Sequence, residues 1–245
     1  MKCILCDSDG YELICKKGVY SIVKCNECGF VYTIPLPPLD EIITKYAKKT
    51  AYGNENEPFV PAGGMGRHLR YRLLLKWIEK YSKPGRLLEI GCSQGDLMSA
   101  ASKSKNWDAM GIDLSSRHLN YAKASGFNVS QGTLEDHRFE AASFDVVVAL
   151  HVLEHLHDPI STMCEIKRIL RPGGVTLIVV PCVSHIKAKL AGAKWKYFGP
   201  PGHLWYFSPE TFALLLKKTG FNLKFSSCFY NRAHLKIVAE KPSTI

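Results

Sequence analysis

A doubly wound α/β domain preceded by a small cysteine-rich module is predicted by three features of the chain. From Arg86 onward, short apolar runs bounded by turn residues alternate with stretches of helix length. The last two apolar runs follow one another with no helix between them, which predicts an antiparallel hairpin at a sheet edge. Two C-x-x-C pairs, Cys3/Cys6 and Cys25/Cys28, stand near the N-terminus.

The elements follow in order. Between the cysteine pairs, GYELICKKGVYSIVKC reads as a hairpin broken at Lys17-Gly18. The stretch IPLPPLD carries three prolines, which disfavour both helix and central strand, so it is a linker. A short helix is expected over residues 40–49, and a loop or cover over the turn-rich residues 51–66. Leu69, Leu73, Trp77 and Tyr81 fall at helical spacing and predict a helix over 67–81. RLLEIG, DAMGID, SFDVVVAL and VTLIVVP are the strand candidates, with a weaker strand around Val129. Helices over 94–105, 115–125 and 159–170 fit between them, the second ended by Gly126 and the third by Pro172-Gly173-Gly174. A helix over 208–219 precedes the closing hairpin, FNLKFSSCFY and HLKIVAEK. The units are then residues 1–34, a linker and cover over 35–66, and the α/β domain over 67–245.

The 245 residues carry a formal charge of +10 and a sequence pI of about 9.1. A basic surface attracts anions, nucleic acid included, but the lysines and arginines are scattered; Lys187, Lys189, Lys194 and Lys196 come nearest to a cluster. No apolar run approaches the roughly 18 residues of a membrane span. The N-terminus lacks the apolar stretch and cleavage site of a secretory signal, so a cytoplasmic location is expected. Nine cysteines cannot all pair within one chain, and in a reducing compartment close cysteine pairs point to a metal.

The strand RLLEI leads into Gly91-Cys92-Ser93-Gln94-Gly95 and then a helix. Glycine there permits unusual backbone angles and removes a Cβ where a ligand could approach, and the helix N-terminus adds N–H groups. Asp113 ends the next strand, where a carboxylate can accept both hydroxyls of a ribose. The dinucleotide fingerprint G-x-G-x-x-G fails, because Ser93 and Asp96 occupy its second and third glycine positions.

The ordered set LLEIGCSQG, GIDLS, QGTLED, SFDVVVALHVLEHLHDP and ILRPGGVTLIVVP resembles the class I S-adenosylmethionine methyltransferases over about residues 67–240. That resemblance implies a Rossmann-like seven-stranded sheet with an antiparallel last strand. It implies that Glu89, Gly91 and Gly95 border the methionine part of S-adenosylmethionine, that Asp113 holds the ribose hydroxyls, and that Leu114 packs on the adenine. Leu134 and Glu135 would flank the adenine edge, and Leu150 and His151 would sit beside the sulfonium.

Eighteen residues separate Cys6 from Cys25, a spacing that suits a structural four-thiolate zinc held by Cys3, Cys6, Cys25 and Cys28 in a zinc-ribbon-like module. A unit of this size cannot bury enough core alone, so a metal would staple it. The arrangement loosely resembles the zinc-binding segments that precede some bacterial methyltransferases of small-molecule and sugar pathways.

His151-Val152-Leu153-Glu154-His155 spells H-x-x-E-H, an inverted zinc-protease signature, but it lies directly after a buried strand and close to Pro159 rather than on a long helix. Quinone-pathway O-methyltransferases carry a similar E-x-x-E-H segment associated with a divalent metal; here His151 replaces the first carboxylate. Pro181-Cys182 reads as a buried cysteine rather than a nucleophile. The insert after Pro181 holds Trp195, Tyr197, Phe198, His203, Trp205 and Tyr206, which could wall an acceptor pocket. His203 and His151 are the candidate general bases, since imidazole titrates near neutral pH.

The expected function is methyl transfer from S-adenosylmethionine to an oxygen or nitrogen of a small-molecule acceptor. The competing readings are an RNA-modifying methyltransferase and a non-catalytic, cofactor-binding regulatory protein.

Overall fold

The structure is a computed structural model and describes residues 1–42, 65–104, 106–228 and 233–243. Seven strands form the main sheet: β4 (Arg86–Ile90), β5 (Asp108–Asp113), β6 (Val129–Gln131), β7 (Phe144–Leu150), β8 (Leu170–Pro181), β10 (Asn222–Cys228) and β11 (His234–Glu240). Their spatial order is β10-β11-β8-β7-β4-β5-β6. The order reverses at β4, which pairs in parallel with both β5 and β7, and β11 alone runs antiparallel to its neighbours β8 and β10. This is the expected doubly wound sheet with its antiparallel last strand.

Alternation of side chains sends each central strand to two cores. Leu88, Ile90, Val147, Ala149, Ile178 and Val180 face one side, packed under α5 (Pro159–Ile169) and α7 (Pro209–Thr219). Leu87, Val146, Val148, Val175 and Leu177 face the other, under α1 (Met65–Ile78), α2 (Asp96–Ser104) and α3 (Ser116–Ala124). The helix ends follow local chemistry. Ser115 accepts from His118 N–H at the start of α3, Asp158 caps α5 ahead of Pro159, and Ser208 forms a capping box with Thr211 before α7.

Two expectations change. In α1, Leu69 and Leu73 are more than half exposed, and Leu75 and Ile78 are the residues buried. Helical spacing located the helix but not its inward face. The third crossover helix ends at Ile169, and β8 begins at Leu170, so Pro172-Gly173-Gly174 lies inside the strand and does not end the helix. The expected 40–49 helix and 51–66 cover lie almost wholly outside the described residues.

The cysteine module contains β1 (Tyr11–Lys17) and β2 (Tyr20–Cys25), the expected hairpin, and a third strand β3 (Val31–Ile34). β3 pairs with β9 (Trp205–Tyr206), which comes from the insert after β8. Thr33 N–H donates to the Leu204 carbonyl at 2.9 Å, and Phe30 stacks on Trp205 at 5.9 Å. Trp205, Tyr206 and Phe198 are at most 7% exposed. These three aromatics join the module to the domain as core.

Candidate active site at the carboxyl ends of β4, β5 and β7

The turn after β4 has positive φ at Gly91 (72°), Ser93 (49°) and Gly95 (83°). A Cβ on Gly91 would lie 2.7 Å from Val152 Cγ2, and one on Gly95 2.7 Å from the Phe127 ring. The glycines therefore serve the backbone angles and the approach of neighbouring side chains. The space a Cβ would fill at each of the two is taken by these side chains. Asp113 ties this turn to the next: Oδ2 accepts Ser93 N–H and Oδ1 accepts Ser115 N–H, each at 2.8 Å. Each oxygen keeps a further lone pair for an outside donor.

Glu89 is 3% exposed, so it is not a solvated strand-end charge. Leu134 is buried, Leu114 and Leu150 are half-buried, and the exposed Glu135 accepts from Thr162 Oγ1 on α5 at 3.1 Å. Leu134 and Glu135 open α4 (Leu134–His137), capped by Thr133.

Beyond β7 the chain turns sharply. His151 has φ +59°, a conformation uncommon for a residue bearing a Cβ, and its N–H donates to the Val179 carbonyl at 2.8 Å. A short 3₁₀ turn, Leu153–His155, follows. The α-helix that a zinc-protease signature needs is absent here, yet both histidines reach Glu154. His151 Nδ1 lies 3.2 Å and His155 Nε2 3.8 Å from Glu154 Oε1. Glu154 is 1% exposed, and its Oε2 has no hydrogen-bond partner among the described residues. Burial pushes its carboxyl up, but His155, His151 and His203 outweigh that and hold it below the usual range.

The ionised carboxylate decides the tautomer of His151: Nδ1 carries the proton and donates, leaving Nε2 with a lone pair. His155 Nδ1 donates to the Gly202 carbonyl at 2.6 Å and His203 Nδ1 to the Tyr197 carbonyl at 2.8 Å, so Nδ1 of each ring carries a proton. Burial brings His203 down to about 4, which keeps it neutral and makes it a weak base. The donor atoms of Glu154, His155 and His203 lie within 4.8 Å of one another, close enough to share one cation.

The sequence did not single out His234 and did not give Tyr197 a role of its own. Tyr197 Oη is 2.9 Å from His234 Nε2, and the His234 ring stands edge-on to His151 with centroids 4.4 Å apart. Only proximity across the fold marks them.

A methyltransferase domain family model matches residues 65–224. The chain belongs to the methyltransferase domain family. The ubiquinone biosynthesis O-methyltransferase of Cereibacter sphaeroides (strain ATCC 17025 / ATH 2.4.3) is 30% identical over 149 residues, covering 55% of this chain and 59% of the relative. That of Aromatoleum aromaticum is 32% identical over 111 residues, covering 42% and 47%. The chain thus spans about half the length of the curated relatives it matches. An S-adenosylmethionine-dependent methyltransferase from Thermotoga maritima has a similar fold, with TM-score 0.55 and 22% identity, covering 71% of this chain and 89% of that one. The chain has the class I fold that its motifs implied. Among the described residues no helix is long and apolar enough to cross a membrane.

In the cysteine module, Cys3 Sγ lies 3.6 Å from Cys28 Sγ, and Cys6 Sγ 3.5 Å from Cys25 Sγ. All four sulfurs fall within 4.8 Å of one another. A tetrahedral metal about 2.3 Å from each sulfur spaces them about 3.8 Å apart, so the cluster fits a four-thiolate ion. Burial pushes the Cys25 thiol up, but N–H groups of Cys28 and Glu27 bring it down to about 7, whereas burial pushes the Cys3 and Cys28 thiols up, so the four thiols do not share a thiolate bias of their own. Gly29, φ +72°, makes the turn after the second pair.

Proposed function

We propose that the chain transfers a methyl group from S-adenosylmethionine to a hydroxyl of a small-molecule acceptor, with His151 as general base and Glu154 as its positioning partner. The observation that carries this is the half-buried His151 held on the fully buried Glu154, set against the glycine turn through Val152, which packs on Gly91. The O-methyltransferase relatives favour oxygen as the nucleophile.

S-adenosylmethionine supplies, when bound, a methyl group activated on a sulfonium. Asp113 would accept the ribose hydroxyls with the lone pairs that Ser93 and Ser115 leave. Glu89, Gly91 and Gly95 would border the methionine part, Leu114 and Leu134 the adenine with Glu135 at its edge, and Leu150 the sulfonium. His151 Nε2 takes the proton of the acceptor hydroxyl, and Glu154 stabilises the imidazolium that forms and holds the ring in the productive tautomer. His203 is the other expected base; at a value near 4 it is a poor proton acceptor and serves better as a neutral wall or as a ligand to a cation. The four cysteines would hold a structural zinc, whose closed coordination leaves no position for chemistry.

The test is calorimetry with S-adenosylhomocysteine, followed by a screen of phenolic and aliphatic hydroxyl acceptors with methyl-labelled cofactor. Binding and label transfer to oxygen are expected. Absence of binding overturns the reading, and binding with no transfer to any acceptor favours a regulatory protein.

A further inference from the structure

The 3₁₀ turn that carries Glu154 is too short to hold its own shape, and the insert after β8 holds it instead. Three neighbouring residues of the insert bond to it. The Gly202 carbonyl accepts from His155 Nδ1 at 2.6 Å, Leu204 N–H donates to the Glu154 carbonyl at 2.8 Å, and Trp205 Nε1 donates to the Leu156 carbonyl at 2.7 Å. The same stretch is held by the cysteine module. Thr33 N–H donates to the Leu204 carbonyl at 2.9 Å, Tyr32 pairs with Trp205, and the Phe30 ring lies against the Trp205 indole with 11° between their planes. Leu204 thus gives its N–H to the Glu154 turn and accepts one from the module.

The line continues to the thiols. Cys25 N–H donates to the Phe30 carbonyl at 2.8 Å, and Gly29 N–H donates to the Cys25 carbonyl at 3.0 Å, which closes the loop that carries Cys28. β3 begins directly after this loop, at Val31. A metal bound by Cys3, Cys6, Cys25 and Cys28 therefore fixes the start of β3, and a module this small has little core of its own to do so without one. At the other end of the line, Glu154 Oε1 lies 3.2 Å from His151 Nδ1. We propose that the cysteine module is a positioning element for the base: its metal sets β3, β3 sets Leu204 and Trp205, and these hold Glu154 where it fixes the tautomer of His151. Methyl transfer then depends on a metal that takes no part in the chemistry. This rests on the methyl-transfer reading above and on the zinc proposed there for the four thiols.

The test compares the full chain loaded with zinc, the same chain stripped by a chelator, and Trp205→Phe, which keeps an aromatic ring against Phe30 and removes the indole N–H. Nitrogen NMR of the histidine rings, assigned with His151→Gln, reports the tautomer of His151; hydrogen exchange reports the Leu204 amide. In the zinc form His151 should show a single tautomer, protonated at Nδ1, and Leu204 should be protected. Stripping should give the mixed tautomers of a free imidazole and speed Leu204 exchange by about tenfold or more. Affinity for S-adenosylhomocysteine should be kept, because the bonds to Asp113 come from Ser93 and Ser115 and not from the insert. Zinc returned to the stripped chain should reverse both changes. Trp205→Phe should still hold one zinc yet show the mixed tautomers. The proposal is overturned if the stripped chain keeps both signatures, if Trp205→Phe with zinc bound keeps the single tautomer, or if the chain takes no zinc. Loss of S-adenosylhomocysteine binding in one of the two altered forms leaves the other to decide; loss in both overturns the proposal, since the module then supports the whole domain. Failure of S-adenosylhomocysteine to bind the zinc form removes the methyl-transfer reading instead.

Discussion

His151 Nδ1 lies 3.2 Å from Glu154 Oε1, and the carboxylate beneath it is almost fully shielded from water. The pair resembles an imidazole–carboxylate dyad, in which the acid fixes the tautomer and answers the charge the base acquires. Glu154→Gln keeps the shape but offers an amide where an anion stood. Turnover on an acceptor found by the screen should fall by about a hundredfold, as for removal of general-base assistance, with cofactor affinity unchanged. Stopped assays of label transfer, beside calorimetry, separate the two. Unaltered turnover with Glu154→Gln and His151→Gln would remove the dyad from the mechanism.

Asp113 joins the two turns that would frame the cofactor. Asp113→Ala should weaken S-adenosylhomocysteine binding by about ten- to a hundredfold, the range for lost hydrogen bonds to a charged group. Asp113→Asn, which keeps one acceptor, should fall between. Unchanged calorimetric affinity in both would dismiss the ribose role.

The chain should carry one zinc under native mass spectrometry, lost in Cys25→Ser/Cys28→Ser. β3 pairs with β9, Thr33 Oγ1 lies 3.3 Å from the His203 carbonyl, and Tyr206 Oη donates to the same carbonyl at 2.8 Å. Metal loss should therefore reach the insert. Hydrogen exchange at Leu204 to Tyr206 should rise in the variant; protection equal to the parent's would show that the insert stands without the module.

The His203 value in the fold, about 4, lies below its unfolded value of 6.5. Between these values the unfolded chain binds the extra proton, so stability rises with pH across that window and falls on acidification. The contribution is at most about 3 kcal/mol. Glu154, held below its ordinary range, acts in the same direction: its contribution is present above its unfolded value and is lost as pH falls through its folded one. Urea unfolding from pH 7 to pH 4 should show the decline, shallower in His203→Asn, whose amide can still donate to the Tyr197 carbonyl. An unchanged slope in that variant would contradict the assignment.

Gly91→Ala places a methyl 2.7 Å from Val152 Cγ2 at a φ of +72°. A loss of about 1–3 kcal/mol is expected. Gly91→Ala/Val152→Ala should recover only part of it, because the backbone angle stays unfavourable; thermal unfolding of both variants measures the two components.

Much of the fold was legible in the chain because it depends on neighbours. Apolar runs too short for helices marked β4, β5, β7 and β8, the unbroken pair of runs at the end marked the β10–β11 hairpin, and Gly91, Gly95 and Gly126 marked turns that positive φ demands. The cysteine spacing likewise led to four sulfurs in one place. The inward face of α1 was not legible, since Leu69, Leu73, Leu75 and Ile78 are alike in kind and only the sheet chooses among them.

The sequence by itself determined the alternating architecture, the glycine turn, the acid at the end of β5 and the two thiol pairs, all set by spacing over a few tens of residues. Tertiary structure alone decided that β3 continues into β9, that His155 donates to Gly202, and that Tyr197 and His234 stand beside His151. It also sets the two candidate bases in different surroundings. Both side chains are imidazoles in the sequence; burial brings His203 down to about 4, and a buried carboxylate stands against Nδ1 of His151. Those differences arise from desolvation and from contacts between segments distant along the chain, which no local pattern encodes.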